Sequence, residues 1–211
     1  MFLVLKRIFA DIHAGVCSKE LLDLYYKVGY THIACLEKHV DSATLSSSAR
    51  VVVVDKVVVN ASSVDELKDI LREIEYRRKV VAVHPTTTEV ARWSAHDTRI
   101  DTILITPSNL KVLDKKQLSV MKYYDKPLEI HIPHLLYSSS EVKSYFYRRL
   151  NMLARFKVGL VLGTSTSGVY ELVHPVVVIK AMKTLYDLPE RITLLALTDI
   201  PRQLISRKQV T

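Results

Sequence analysis

The chain has 211 residues, 48% of them hydrophobic, which is enough for one domain with a sizeable core. Its 30 lysines and arginines outnumber the 22 aspartates and glutamates, and the resulting formal charge of +8 favours a polyanionic partner, most simply nucleic acid. No apolar run approaches the ~20 residues of a membrane helix, and Lys6 and Arg7 interrupt the apolar start, so we expect neither a membrane span nor a signal peptide.

Short runs rich in β-branched residues recur along the chain and predict eight strands. They occupy residues 2–11, 30–37, 51–61, 79–85, 101–106, 127–132, 158–164 and 192–199. Several runs are continuously apolar, as expected for strands that are covered on both faces of a parallel sheet. The run 51–61 has an alternative interpretation as a loop followed by a shorter strand.

Helical patterns lie between these runs and begin at capping serines. Ser18 precedes a helix that stops at Gly29, while Ser63 and Ser140 precede two longer helices. The alternation predicts an α/β fold, an irregular TIM-like (β/α) barrel that forms a single domain over residues 1–211. The segment 38–50 and the tail after the eighth run are short, so some units should be clipped. A doubly wound open sheet is the alternative.

The stretch ARWSAHDTRIDTILIT contains adjacent His96 and Asp97, which could be mistaken for a catalytic pair. Neighbours on a helix point about 100° apart, so this spacing does not form a dyad. Asp101 opens a strand and therefore belongs to the amino-terminal face of the barrel, whereas chemistry in this fold lies at the carboxyl face. We expect Asp97, Arg99 and Asp101 to serve structure or partner contact.

Acidic and histidine side chains stand at the carboxyl ends of several predicted strands. Asp11 and His13 are two residues apart in an extended segment and can point the same way. Carboxylates and imidazoles that converge from separate strands could bind a divalent metal and activate water. The candidate ligands are Asp11, His13, His84, His131 and Asp199. The alternative is that they are hydrogen-bonded corners and helix caps.

The polar loop after the seventh predicted strand could cradle a phosphate with its backbone amides. This loop comprises Thr164, Ser165, Thr166, Ser167 and Gly168. The alternative is a polar turn in which Ser167 caps the next helix.

Basic residues concentrate in one predicted helix and in the tail. Such cations contact phosphates without selecting a sequence, and a solvated surface role is the alternative for each. The candidate RNA-binding residues are Lys143, Arg148, Arg149, Arg155, Lys157, Arg202, Arg207 and Lys208.

Cys17 and Cys35 have neither CxxC nor Cys/His spacing, so the sequence predicts no zinc site and no disulfide framework. A reducing, cytoplasmic location fits that expectation. Only three Asn and three Gln occur among many Lys, Arg and Val, a composition typical of heat-adapted proteins.

The chain resembles the archaeal ribonuclease P protein component 3 family in four stretches and in their order. These are FADIHA, ARWSAHDTRIDTILI, LGTSTSGVYELVHPVVVIKAMKTLYDLP and ITLLALTDIPRQLI. That family is related to the eukaryotic thirty-kilodalton subunit, and the resemblance spans nearly the whole chain. It implies an accessory subunit of the ribonucleoprotein that removes the 5′ leader of precursor tRNA. The resemblance also implies that the protein binds the catalytic RNA together with component 2 and other subunits, and meets precursor tRNA only indirectly. The catalytic magnesium ions then belong to the RNA, and the protein itself needs no cofactor.

This family in turn resembles the polymerase and histidinol phosphatase superfamily, whose irregular barrels bind metals through an HxH motif after the first strand and a DxH motif near the last. Here these positions read Asp11-Ile12-His13 and Asp199-Ile200-Pro201. One ligand of each motif is missing, and loss of ligands lowers metal affinity. A metal-dependent phosphoesterase is therefore the alternative function.

Overall fold

The computed structural model describes residues 8–38 and 51–209. Over these ranges seven parallel strands form one sheet, and their spatial order is the order along the chain. The strands are β1 (Phe9–Cys17), β2 (Tyr30–Lys38), β3 (Val52–Ala61), β4 (Lys79–Pro85), β5 (Thr102–Ile105), β6 (Leu128–His131) and β7 (Leu160–Gly163). Residues 2–7 of the first predicted strand and 39–50 of the Ser-rich segment lie outside the described residues. The run 51–61 forms one long strand, so its loop alternative is wrong.

Helices cover the outside of this sheet. They are α1 (Lys19–Lys27), α2 (Val64–Glu73), α3 (Thr88–His96), α4 (Lys115–Tyr123), α5 (Ile132–Tyr137), α6 (Ser140–Phe156), α7 (Pro175–Tyr186), α8 (Glu190–Leu197) and α9 (Asp199–Ser206), with a 3-10 turn at Leu110–Val112. Ser18 and Ser63 cap their helices as predicted, and Ser63 forms a reciprocal capping box with Glu66. The third predicted cap is one residue out, because Ser139 accepts from the Val142 amide. None of the helices in the described ranges is long and apolar enough to cross a membrane.

The sheet is nearly closed into a barrel by the segment that follows β7. The Ser165 amide donates to the His13 carbonyl at 2.7 Å, and the Gly15 amide donates to the Thr166 carbonyl at 2.9 Å. Gly163 allows this approach, since a Cβ there would lie 2.5 Å from the His13 Cβ. Sequential strand order and near closure confirm the irregular TIM-like barrel and exclude the doubly wound sheet.

The eighth predicted strand is wrong: residues 192–199 lie in α8 and the start of α9. In α8 the buried residues are Thr193, Ala196 and Leu197, which follow helical spacing, and Glu190 lies in the first turn. Leucine and alanine are strong helix formers, so this apolar run suits a helix at least as well as a strand.

Helix α9 closes the amino-terminal end of the barrel. Its Leu204 and Ile205 pack against buried apolar side chains from five strands, namely Ala10, Ile12, Ala34, Val54, Val80 and Val161. The larger hydrophobic cluster lies between the sheet and the surrounding helices. The amino-terminal half of the barrel interior is therefore a packed core.

A disulfide joins Cys17 of β1 to Cys35 of β2, so the prediction of no disulfide is wrong. The two cysteines are 18 residues apart in sequence, but neighbouring parallel strands bring their Cα atoms within 6.2 Å. The bond also removes the observation on which the expectation of a reducing location rested.

Candidate functional site

Three buried donor side chains meet at the carboxyl end of the barrel: His13 of β1 with Glu129 and His131 of β6. We call them the three-donor cluster. His13 Nδ1 and His131 Nε2 each lie 3.3 Å from Glu129 Oε1, and all three side chains are between 0% and 9% exposed. The two imidazole centroids are 4.0 Å apart. The ligand atoms of His13, Glu129 and His131 all lie within 4.8 Å of one another, close enough to bind one metal ion.

Strand geometry explains this convergence. Glu129 and His131 are two residues apart on β6, so both side chains face the barrel interior. On β1 the pairing with β2 is irregular between Asp11 and Ala14, which breaks the alternation of side chains. His13 consequently reaches Glu129 while Asp11 does not.

A buried lysine completes the cluster. Lys56 of β3 donates from Nζ to Glu129 Oε1 at 2.6 Å and to the Ile12 carbonyl at 2.8 Å, and its side chain is 0% exposed. The Thr102 hydroxyl donates to Glu129 Oε2 at 2.5 Å. Both carboxylate oxygens of Glu129 are therefore satisfied within the barrel.

Burial and charge set the ionisation of this cluster. Burial raises the pKa of Glu129, but the Lys56 charge together with the hydrogen bonds from His13 and His131 outweighs burial and holds that pKa well below the usual range. Burial, and then the Lys56 charge, lowers the pKa of His13 from 6.5 to about 4. At neutral pH His13 is thus neutral, and its Nδ1 makes no well-aligned hydrogen bond.

The donor set of the three-donor cluster, taken alone, matches a zinc site. The whole arrangement does not fit one, because Lys56 holds the same carboxylate oxygen that a metal would need. Two cations, the Lys56 ammonium and a divalent ion, on one buried carboxylate would be poorly compensated.

Of the five predicted ligands, the structure brings His13 and His131 together and sends Asp11 elsewhere. The Asp11 carboxylate accepts from the Tyr25 hydroxyl at 2.7 Å and the Thr164 amide at 3.0 Å, so it joins α1 and the β7 loop to β1. The expectation that Asp11 and His13 point the same way is wrong, because of the irregularity in β1.

The remaining two predicted ligands lie outside the cluster. His84 ends β4 and hydrogen-bonds the Thr106 hydroxyl at 2.9 Å. Asp199 begins α9 and pairs with Arg202 at 2.6 Å, with its side chain 48% exposed. Asp199 is displaced because the strand that should have carried it is a helix.

Sequence reasoning missed Lys56 and Glu129. Lys56 lies among the valines of VVVDKVVVNA, and Glu129 lies between Leu128 and Ile130 in LEIH. A charge in a fully covered strand requires a partner, and this signal could have identified both residues.

The predicted phosphate loop, residues 164–168, uses its amides internally. The first two donate to the Asp11 carboxylate and the His13 carbonyl, and the third to the Thr164 hydroxyl. The last two donate to Glu171 Oε2 at 2.7 and 3.2 Å. A phosphate would have to displace Glu171. Ser167 does not cap the next helix, since His174 caps α7.

The basic residues of α6 divide between two faces. Lys143, Ser144, Tyr147 and Arg148 of α6, with Leu185 of α7, line an open groove of about 410 Å³, which we call the α6–α7 groove.

The other basic residues of α6 lie beyond this groove. Arg149 instead lies 4.8 Å over the Tyr145 ring and donates to its hydroxyl. Arg155 and Lys157 are exposed, and Lys157 ends the helix with φ 55°. Arg148 and Arg155 are seven residues apart and share one face of the helix.

The tail and the floor of the barrel form a structural network. Lys208, predicted to bind RNA, pairs with Asp101 at 2.8 Å with only 9% of its side chain exposed, so it fastens the tail to the floor instead. Asp97 pairs with Arg99 at 2.8 Å, and Asp101 accepts from the Val81 amide. These three floor residues thus have partners within the protein, and their role in structure or partner contact stays a prediction. Arg202 and Arg207 are exposed.

No protein-family model and no curated protein matches the sequence. Solved structures are similar at the level of fold. A chain of the cryo-EM structure of archaeal ribonuclease P with mature tRNA is similar with a TM-score of 0.78 and 14% identity, over 96% of this chain and 92% of that chain.

Two crystal structures share the barrel at 10% identity. An amidohydrolase has a TM-score of 0.58 over 96% of this chain and 75% of its own. Histidinol phosphate phosphatase from Lactococcus lactis, complexed with zinc, L-histidinol and phosphate, has a TM-score of 0.53 over 85% of this chain and 92% of its own. These likenesses show a shared α/β barrel fold.

Proposed function

We propose that the chain is a protein subunit of ribonuclease P, the ribonucleoprotein that removes the 5′ leader from precursor tRNA. The observation that carries this proposal is the fold similarity, over nearly the full length of both chains, to a chain in the archaeal ribonuclease P structure. The order of motifs along the sequence supports the same family.

In this role the protein binds the catalytic RNA together with component 2 and further protein subunits, and it contacts precursor tRNA only through that assembly. The magnesium ions required for cleavage are bound by the RNA. We expect the complex to act in the cytoplasm. The formal charge of +8 lowers the electrostatic cost of folding a large RNA against the protein.

The α6–α7 groove is the surface best suited to RNA. Lys143 and Arg148 supply cations for phosphates, and Tyr147, which is 43% exposed, adds an aromatic ring to the lining of the same groove. Aromatic stacking and phosphate contacts together are the usual means of binding RNA bases that are not paired in a helix. Arg155 extends the positive charge along the same face of α6.

The test is charge reversal in the groove. Arg148→Glu should weaken binding to ribonuclease P RNA about tenfold and reduce the slope of log K against log salt by about 1, because one phosphate contact is lost. Filter binding between about 50 and 200 mM salt measures both quantities. Arg72→Glu on α2 is a matched control, since Arg72 is an exposed arginine on another helix. Equal affinities and slopes for the two variants would contradict the proposed surface.

The alternative is a metal-dependent phosphoesterase. It is supported by the donor types of the three-donor cluster, although Lys56 holds one of their oxygens, and by the zinc-containing phosphatase that shares the fold. Hydrolysis of a simple phosphomonoester by the purified protein without RNA, in zinc or manganese, distinguishes the two functions. Turnover that disappears in Glu129→Gln would favour the phosphoesterase and count against the ribonuclease P subunit.

A further inference from the structure

The three-donor cluster has the spacing of a metal site. Ligand atoms that bind one zinc ion tetrahedrally at about 2.1 Å lie roughly 3.4 Å apart. Both imidazole nitrogens lie 3.3 Å from Glu129 Oε1. His13 Nδ1 is buried and makes no well-aligned hydrogen bond, so no such bond would have to be broken for it to meet an ion. The barrel therefore holds two imidazoles and a carboxylate in an arrangement that could bind a divalent ion.

Lys56 competes with such an ion for the same oxygen. Because Nζ is 2.6 Å from Glu129 Oε1, an ion bound to that oxygen at about 2.1 Å would lie within about 4.7 Å of the ammonium nitrogen. Both cations would be buried, since the Lys56 side chain is 0% exposed. Their repulsion would be weakly screened at that depth.

The charge balance points the same way. Glu129 carries one negative charge, and Lys56 neutralises it with one positive charge held by two hydrogen bonds. Adding a divalent ion would leave a net charge of +2 inside the barrel. Without the lysine, the same ion would leave only +1 and would restore a partner to the carboxylate.

We propose that the ammonium group of Lys56 takes the place of a divalent metal ion in the three-donor cluster, and that removing this group uncovers a zinc site. The proposal goes beyond the function proposed above and does not depend on RNA binding. Lys56 is here a positioning residue that orients Glu129, and the uncovered site would take a small borderline cation such as Zn²⁺.

The experiment compares zinc uptake by purified variants after removal of metals with a chelator. Equilibrium dialysis against zinc, with metal content measured by mass spectrometry, should find one zinc per chain in Lys56→Met. The wild type should retain less than a tenth of that amount. Adding Glu129→Gln to Lys56→Met should abolish the gain. Lys126→Met is the matched control, because Lys126 is also buried but donates to the Asp97 and Ile100 carbonyls.

Folding is followed in parallel by circular dichroism, with Lys56→Gln as a second variant that keeps a polar side chain. Folding of either variant only when zinc is present would support the proposal. Equal zinc binding by wild type and Lys56→Met would overturn it, as would folded variants that take up no zinc. Failure of both variants to fold with zinc present would also count against it, since zinc should then replace the lysine.

Discussion

The Lys56–Glu129 pair allows a quantitative test of the barrel interior. Glu129→Gln keeps the size of the side chain but leaves the buried Lys56 ammonium without its counter-charge, 2.6 Å from a neutral amide. Breaking a fully buried ion pair by removing one partner costs about 3–5 kcal/mol, because the remaining charge is desolvated and uncompensated. For a chain of this length we expect a decrease in melting temperature of about 6–20 °C.

Urea denaturation at pH 7 with a chelator present measures this loss as a change in the free energy of unfolding. The double variant Lys56→Met/Glu129→Gln should cost less than the sum of the two single variants, since neither charge remains unpaired. Asp65→Asn is the surface control. The Asp65 side chain is 91% exposed and that of its partner Lys68 is 41% exposed, so this ion pair should contribute less than about 1 kcal/mol to stability. Strict additivity, or a loss below about 1 kcal/mol for Glu129→Gln, would refute the assignment of a buried, coupled ion pair.

Three further predictions concern the closure of the barrel and its pH response. Gly163→Ala should destabilise the protein by about 1–3 kcal/mol, because the new Cβ would lie 2.5 Å from the His13 Cβ. Gly168→Ala is the control, since its Cβ would have no neighbour within 4 Å and stability should change little. Equal melting curves for the two variants would contradict the close approach. Tyr25→Phe should cost about 1–3 kcal/mol in urea denaturation, because Asp11 loses a buried donor; an unchanged midpoint would show that this hydrogen bond contributes nothing. The pKa of His13 is about 4 in the folded protein against an ordinary 6.5. As the pH drops, the unfolded chain therefore binds the proton before the folded protein does. The free energy of unfolding should fall by about 3 kcal/mol between these two pKa values. His13→Gln should remove most of that slope, and a slope that persists would assign it to other groups.

Much of the fold could be predicted because local patterns and tertiary packing agree. The apolar runs that became β4 to β7 are covered on both faces, and Ser18 and Ser63 cap helices where their chemistry requires it. The failure at residues 192–199 has a physical cause. A run of leucine, alanine and threonine is apolar at both the strand and the helix period, so only packing against β7 and α7 decides between them.

The candidate site was harder to predict because its members are distant in sequence. Lys56 and Glu129 are 73 residues apart, and nothing local links them. Residue spacing was misleading here. Asp11 and His13 are two residues apart in an extended segment, yet the irregularity in β1 turns them to different sides. The Cys17–Cys35 bond has the same origin, since strand neighbours are set by topology and not by sequence distance.

The internal pairing of Lys56 with Glu129 also affects the electric field outside the protein. A positive and a negative charge 2.6 Å apart nearly cancel beyond the barrel wall, so the whole formal excess of +8 is left to the remaining side chains. At physiological ionic strength that excess is screened over about 8 Å. The outer helices would consequently attract a polyanion at short range. The Lys56–Glu129 pair inside the barrel would contribute little to that attraction.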